Sequence, residues 1–116
     1  MGLDLKVLAS NFRERGELLA TASLRFDRDA RLLADLHPDA TPCLVRPLPG
    51  GLKVGHYEDE GLKFEDVDRY GKPLTYTTSK DLRGLRLPDG LASWNEAILA
   101  FLLALPAETR IVLYWC

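Results

Sequence analysis

The segment Ser93–Cys116, SWNEAILAFLLALPAETRIVLYWC, decides the fold of this chain. Its first part is an apolar run of helix-forming residues that stops at Pro106, because proline cannot continue a helix. Its last part, Arg110–Cys116, is rich in β-branched and aromatic residues, which favour strands. A frayed terminus is normally polar, whereas this one is apolar. The segment therefore predicts a buried helix followed by a C-terminal strand within a sheet.

The start of this helix carries a capping signature. Ser93 and Glu96 stand three residues apart, as in the capping box, in which each side chain accepts a hydrogen bond from the backbone amide of the other residue. We therefore expect the helix to begin near Ser93, with that serine as its cap. Because the helix is apolar almost all round, one open sheet cannot cover it. Either loops or a second subunit must cover its remaining face.

Alternation of polar and apolar residues predicts a hairpin in the first part of the chain. Leu3–Ala9 alternates with a period close to two, which is typical of a strand with one buried face. A polar break at Arg13–Glu17 follows, and Leu18–Phe26 again suits an extended segment. Helix is the competing prediction for residues 18–24, since leucine and alanine favour it, but the threonine, serine and phenylalanine content favours a strand.

A short helix is predicted after this hairpin. Asp27 or Asp29 can cap a helix over Ala30–Leu36, because an aspartate side chain accepts hydrogen bonds from the first free backbone amides. Pro38 then ends the helix, since proline has no backbone N–H to donate.

The middle of the chain predicts a loop and a hairpin. His37–Gly51 holds four prolines, so we expect a loop around one short strand at Cys43–Val45. Leu52–Tyr57 and Leu62–Val67 both alternate, and the acidic link Glu58–Gly61 between them is typical of a hairpin connection.

The remaining elements complete a prediction of fold class. A turn at Asp68–Pro73 leads into a strand-like run at Leu74–Thr78, and Ser79–Gly84 fits one short helical turn. The sum is an α+β fold: a mainly antiparallel sheet packed against one long C-terminal hydrophobic helix, with one or two short helices and the C-terminal strand in the sheet. At 116 residues the chain is expected to form a single globular domain, 1–116.

Composition argues against several classes of function. The chain is 47% hydrophobic and 28% charged, which is ordinary for a soluble globular protein and too apolar for a disordered one. A formal net charge of -2 gives no broad positive field, so we expect no nucleic-acid partner. The longest apolar run, Ala97–Leu105, is about half of the roughly 20 residues that a membrane-spanning helix needs, so we expect no membrane association.

The cellular location is predicted from the N-terminus and the cysteines. The first residues include Asp4 and alternate too soon for a secretory signal, which predicts a cytoplasmic protein. Cys43 and Cys116 make no disulfide framework in a chain of this size and are expected to be free thiols without a catalytic role.

Candidate chemistry is sparse in this sequence. His56 with Glu58 is the nearest approach to a metal-binding pair, since both residues share one face of a strand and both side chains bind zinc or manganese. A metal site needs further ligands, and His37 is the only other histidine. The favoured interpretation is therefore a solvated acidic hairpin. The sequence assigns no catalytic residue, no metal site and no cofactor.

Recognition is predicted to use turn residues and the terminal aromatic residues, because arginine and aromatic side chains contribute much of the binding energy at protein contacts. The candidates are Arg69, Tyr70, Tyr76, Arg83, Trp94 and Trp115. The leading expectation is a non-enzymatic binding or interaction module that associates with a protein partner or with itself as a homodimer. The alternative is a small enzyme or ligand-binding protein with a pocket between the sheet and the C-terminal helix, in which His56 and nearby carboxylates act.

Overall fold

Two sheets and three helices make up the part of the chain that the structure describes. The structure is a computed structural model, and it describes residues 4–10, 17–20, 22–49 and 52–116. The elements in chain order are β1 (Leu5–Ser10), β2 (Glu17–Leu19), β3 (Ala22–Arg25), α1 (Ala30–Leu36), β4 (Arg46–Pro47), β5 (Lys53–Glu58), β6 (Gly61–Glu65), β7 (Thr75–Thr78), α2 (Ser79–Arg83), α3 (Ser93–Ala104) and β8 (Arg110–Trp115).

The larger sheet has five strands in the order β3-β1-β8-β7-β4, and every neighbouring pair is antiparallel. The smaller sheet has the order β2-β5-β6, in which β5 and β6 form an antiparallel hairpin and β2 runs parallel to β5. The mainly antiparallel pairing, the C-terminal helix α3 and the C-terminal strand β8 within the sheet confirm the predicted α+β fold.

The five-stranded sheet is the middle of three layers. Alternate residues of β8 face opposite sides of this sheet. Ile111, Leu113 and Trp115 pack in a core with the helices, whereas Val112 and Tyr114 pack against the smaller sheet. Because both faces are covered, β8 is buried from Ile111 to Trp115, which explains its apolar composition.

The segment predicted as one strand, Leu18–Phe26, contains two strands that belong to different sheets. Ala22–Arg25 pairs antiparallel with β1, as predicted, but Glu17–Leu19 pairs with β5. The prediction of a single strand is therefore wrong, although extended structure is confirmed over helix. An apolar pattern specifies which face is buried and does not specify the partner strand. Residues 13–16 of the predicted break, and Leu3, lie outside the described residues.

Helix α1 spans Ala30–Leu36, as predicted. Asp29 is its cap, since the carboxylate accepts a hydrogen bond of 3.0 Å from the backbone N–H of Arg31. The backbone of Asp27, the other candidate, exchanges two hydrogen bonds of 2.7 and 2.8 Å with the side-chain amide of Asn95. The loop before α1 is thereby tied to the first turn of α3.

Helix α3 begins at Ser93, as predicted, but the predicted capping box is wrong. The N-cap residue is Ala92, and no side chain caps the helix. Ser93 is already the first helical residue, one position beyond the place where a serine side chain caps. At twelve residues α3 is the longest helix of the described part, and none of these helices is long and apolar enough to cross a bilayer.

The predicted hairpin in the middle of the chain is confirmed as β5 and β6, which are joined by a turn at Asp59–Glu60. The strand predicted at Cys43–Val45 is wrong. The short strand β4 is Arg46–Pro47, which pairs with β7, while Val45 just before it packs its side chain into the core on the helical side of the sheet. β7 and α2 lie where the sequence predicts a strand and a helical turn.

Candidate functional site

A cluster of polar side chains lies between the two sheets. His56 and Glu58 stand two residues apart on β5 and therefore share its inner face. Glu65 of the neighbouring strand β6 approaches His56 to 3.8 Å. On the larger sheet, Lys6 of β1 stands directly opposite Tyr114 of β8. We call these five residues the intersheet cluster.

His56 is the centre of the intersheet cluster. Its side chain is 1% exposed, and its ring packs on the Tyr114 ring with the centroids 4.6 Å apart. Lys6 Nζ lies 2.9 Å from His56 Nδ1. Since an ammonium group only donates, Nδ1 accepts and the ring proton is on Nε2. Burial, and then the Lys6 charge, lower the pKa of His56 below its ordinary value, so the ring is neutral at neutral pH.

Each carboxylate of the cluster is held through one oxygen. Glu58 Oε2 accepts a hydrogen bond of 3.0 Å from the guanidinium of Arg69. Glu65 Oε2 accepts a hydrogen bond of 3.0 Å from the hydroxyl of Tyr114. Burial, together with this bond, raises the pKa of Tyr114, so the phenol keeps its proton and remains the donor. The second oxygen of each carboxylate is left for another partner.

Two atoms of the cluster are buried without a hydrogen-bond partner in the described part of the chain, namely His56 Nε2 and Glu58 Oε1. Buried polar atoms are nearly always paired, and leaving one unpaired costs about 1–3 kcal/mol. The carboxylate oxygens nearest to the imidazole are beyond hydrogen-bond reach of it. Glu58 Oε1 is 3.7 Å from His56 Nδ1, and Glu65 Oε1 is 3.8 Å from His56 Nε2.

The cluster offers three potential ligand atoms for a small cation. One ring nitrogen of His56 and one oxygen from each of Glu58 and Glu65 lie within 4.8 Å of one another. Bonds of about 2.0–2.2 Å to a tetrahedral zinc ion place neighbouring ligand atoms about 3.3–3.6 Å apart. Since the spacing of the three atoms reaches 4.8 Å, they must come closer together by roughly 1 Å to bind one ion. His56 is buried, so the solvated environment that the sequence favours for this hairpin is not the environment of His56.

A surface cavity adjoins the cluster at Glu58. A cavity of about 250 Å³ is lined by Glu58, Asp59, Glu60, Lys63 and Arg69. Three of these residues are acidic and two are basic, so the mouth carries a slight excess of negative charge. This excess of negative charge favours the approach of a cation from solvent to Glu58.

The predicted recognition residues at the turn Asp68–Pro73 have different surroundings from one another. Arg69 holds Glu58 and thus supports the intersheet cluster. Tyr70 and Trp115 line a separate cavity of about 500 Å³ together with His37, whose ring centroid lies 5.6 Å from that of Trp115. The structure therefore brings Tyr70 and Trp115 together, on a different surface from Arg69.

The other three recognition candidates are dispersed. Tyr76 is half-buried against the core of the smaller sheet. Arg83 donates a hydrogen bond of 3.0 Å to the carbonyl oxygen of Leu105, just after α3. Trp94 is exposed on α3, and its indole N–H donates to the carbonyl oxygen of Arg25. The six residues do not form one site, and a role for each in binding stays a prediction.

Sequence reasoning named His56 and Glu58 but missed Glu65, Lys6 and Tyr114. A signal for two of the missed residues was present. Lys6 and Tyr114 are polar residues on the inner faces of apolar strands that are buried on both sides. A charged residue in such a strand indicates a buried polar partner, because an unpaired charge there is costly.

Comparisons with known proteins give no family for this chain: no protein-family model matches it, and neither a curated protein nor a solved structure is similar to it. The features of the molecule that bear on its function are therefore the intersheet cluster and the exposed surfaces.

Proposed function

We propose that this protein binds one divalent metal ion in the intersheet cluster, with His56, Glu58 and Glu65 as ligands. One observation carries the proposal: His56 Nε2 and Glu58 Oε1 are buried without a hydrogen-bond partner among the described residues, and a carboxylate of Glu65 stands beside them. One nitrogen and two oxygen donors without a thiolate suit zinc and manganese. Zinc is the expected ion, since it binds such ligands more tightly.

The surroundings of the three ligands support this proposal. Arg69 and Tyr114 each hold one oxygen of a ligand carboxylate, and such outer contacts orient the ligands of metal sites. Three protein ligands leave one position of a tetrahedral zinc ion for water. The proposal places the ligand site on the face of the larger sheet opposite α3, rather than in the predicted pocket beside that helix.

Calorimetric titration of the metal-free protein with zinc chloride tests the proposal. We expect one zinc ion per chain. Glu58→Gln and Glu65→Gln each keep the side-chain shape but remove a charged ligand, so zinc should bind roughly tenfold more weakly or worse.

The matched control for this titration is Glu60→Gln, which removes the same charge at the mouth of the cluster. Glu60 pairs with Lys63 at 3.6 Å, and its side chain is 84% exposed. Its change should alter zinc affinity by no more than about twofold, since charges in water are screened. Absence of zinc uptake by the unmodified chain, or equal affinities in all three variants, would overturn the proposal.

A second candidate function, a protein-interaction module, is supported by the outer face of α3. Trp94 and Phe101 are 51% and 41% exposed and stand about two helical turns apart, so they share one face. Ala97 is exposed between them. An exposed apolar strip of this kind is typical of a protein interface. We propose a second copy of the chain as its partner, and the test is the oligomeric state in solution.

The proposed partners and location follow from charge and cysteine chemistry. The formal net charge of -2 supports a protein without a nucleic-acid partner. Cys43 and Cys116 are both free, which supports the reducing environment of the cytoplasm. Fractionation of cells followed by immunoblotting tests the location.

A further inference from the structure

The intersheet cluster already contains a cation, which the chain itself supplies. The Lys6 ammonium lies 2.9 Å from His56 Nδ1 and donates a second hydrogen bond of 2.9 Å to the carbonyl oxygen of Tyr57. It also lies 5.9 Å from the centroid of the Tyr114 ring, within the range of a cation–π contact. The ammonium is therefore held at a defined position beside the ligands.

This ammonium blocks both nitrogens of His56. A metal ion needs a lone pair on one ring nitrogen. Nδ1 uses its lone pair to accept from Lys6, and Nε2 carries the ring proton. If an ion took Nε2, that proton would move to Nδ1, where the N–H would face the ammonium as donor against donor. Binding at Nδ1 therefore requires Lys6 to leave, and binding at Nε2 requires Lys6 either to leave or to lose a proton, so that its amine can accept from Nδ1–H.

The surroundings of Lys6 allow it to leave. A lysine ammonium is a compact charge on a flexible four-carbon stem, and Lys6 is only half-buried. Glu58 Oε1 lies 3.7 Å from Nδ1, and after the departure of Lys6 its negative charge no longer interacts with the ammonium. Arg69 still neutralises the other oxygen of Glu58 and keeps that carboxylate in place.

We infer, on the basis of the proposed metal-binding function, that Lys6 is the specificity-determining residue of the site. In the free protein its ammonium holds Nδ1 and thereby keeps the ring proton on Nε2, so that only an ion with high affinity for the ligands displaces it. Zinc is such an ion. Manganese binds the same ligands more weakly and is excluded as long as Lys6 is present.

Zinc titration of Lys6→Met against Lys63→Met tests this inference. Lys63 stands opposite His56 in the hairpin and pairs with Glu60, so its replacement removes the same charge without removing the bond to the imidazole. Lys6→Met should bind zinc roughly 10- to 100-fold more tightly than the unmodified chain, because a charge-assisted hydrogen bond no longer competes. The zinc affinity of Lys63→Met should differ from that of the unmodified chain by less than about threefold. Manganese chloride should bind measurably to Lys6→Met alone.

The outcomes separate this inference from the function on which it rests. Equal or weaker zinc binding by Lys6→Met would overturn the role of Lys6 and leave the metal site standing. A gain of equal size in Lys63→Met would also overturn it, since general charge would then be the cause. If neither the unmodified chain nor Lys6→Met binds zinc, the metal-binding function itself fails. Circular dichroism checks folding, and Lys6→Gln replaces Lys6→Met if the latter is unfolded.

Discussion

At the scale of single residues, Asn95 shows how one buried polar group fixes the start of a helix. It is fully buried in an otherwise apolar segment, and its amide exchanges two hydrogen bonds with the backbone of Asp27. These bonds fix the first turn of α3 against the loop before α1. The predicted capping box of Ser93 does not form and so does not fix this turn.

The first prediction therefore concerns Asn95 and Ser93. Asn95→Ala should lower the free energy of unfolding by about 1–3 kcal/mol, because it leaves the N–H and C=O of Asp27 without their protein partners. Ser93→Ala should change it by less than about 0.5 kcal/mol, since the serine caps nothing. Urea denaturation of both variants gives the two values. A larger loss in Ser93→Ala than in Asn95→Ala would show that the capping box forms after all.

The candidate site was predictable from sequence only where its residues belong to one strand. The spacing of His56 and Glu58 predicts that they share one face of a strand, and the structure places both residues on β5. Lys6 and Glu65 come from two other strands, and their approach to His56 depends on how the two sheets stack. The acidic turn beside Glu58 predicts a solvated hairpin, but the stacking of the sheets buries His56.

At the scale of elements, local signals located the helices and hairpins, and long-range pairing was not predictable. The cap at Asp29, the alternation in β5 and β6 and the apolar run of β8 each depend on neighbours in the chain. The parallel pairing of Glu17–Leu19 with β5 depends on a distant segment, as does the separation of β2 from β3. Neither the pairing of β2 with β5 nor the separation of β2 from β3 produces a periodic pattern in the sequence.

The second prediction follows from the exposed face of α3. If this face joins two copies of the chain, Phe101→Glu should give a monomer, because it places two charges in a small apolar interface. Tyr57→Glu is the matched control, since Tyr57 is the most exposed of the large apolar side chains in the described part and lies on the smaller sheet, away from α3. Sedimentation velocity should give a dimer for the unmodified chain and for Tyr57→Glu. A monomeric unmodified chain contradicts the prediction.

At the scale of the whole molecule, one sheet contributes to both hydrophobic cores. Leu113 packs on the helical side of β8 and Val112 on the side of the smaller sheet, so neither core is complete without this strand. Side chains of β1 divide in the same way. A substitution that destabilises one core should therefore also destabilise the other through the shared strands. Such coupling is expected of a single cooperative domain.

The third prediction concerns the coupling of the two cores. Both tryptophans lie on the helical side of the larger sheet, so their fluorescence reports unfolding on that side. Trp115 is in the helical core and Trp94 is on α3, whereas Val54 is fully buried on the smaller sheet. Val54→Ala should lower the free energy of unfolding by about 1–3 kcal/mol through the cavity that it leaves. In a single domain, the urea midpoint from tryptophan fluorescence must fall by the same amount as the midpoint from circular dichroism. Lys53→Ala, an exposed change on the same strand, should move neither midpoint. A fluorescence midpoint that stays constant in Val54→Ala would mean that the smaller sheet unfolds on its own.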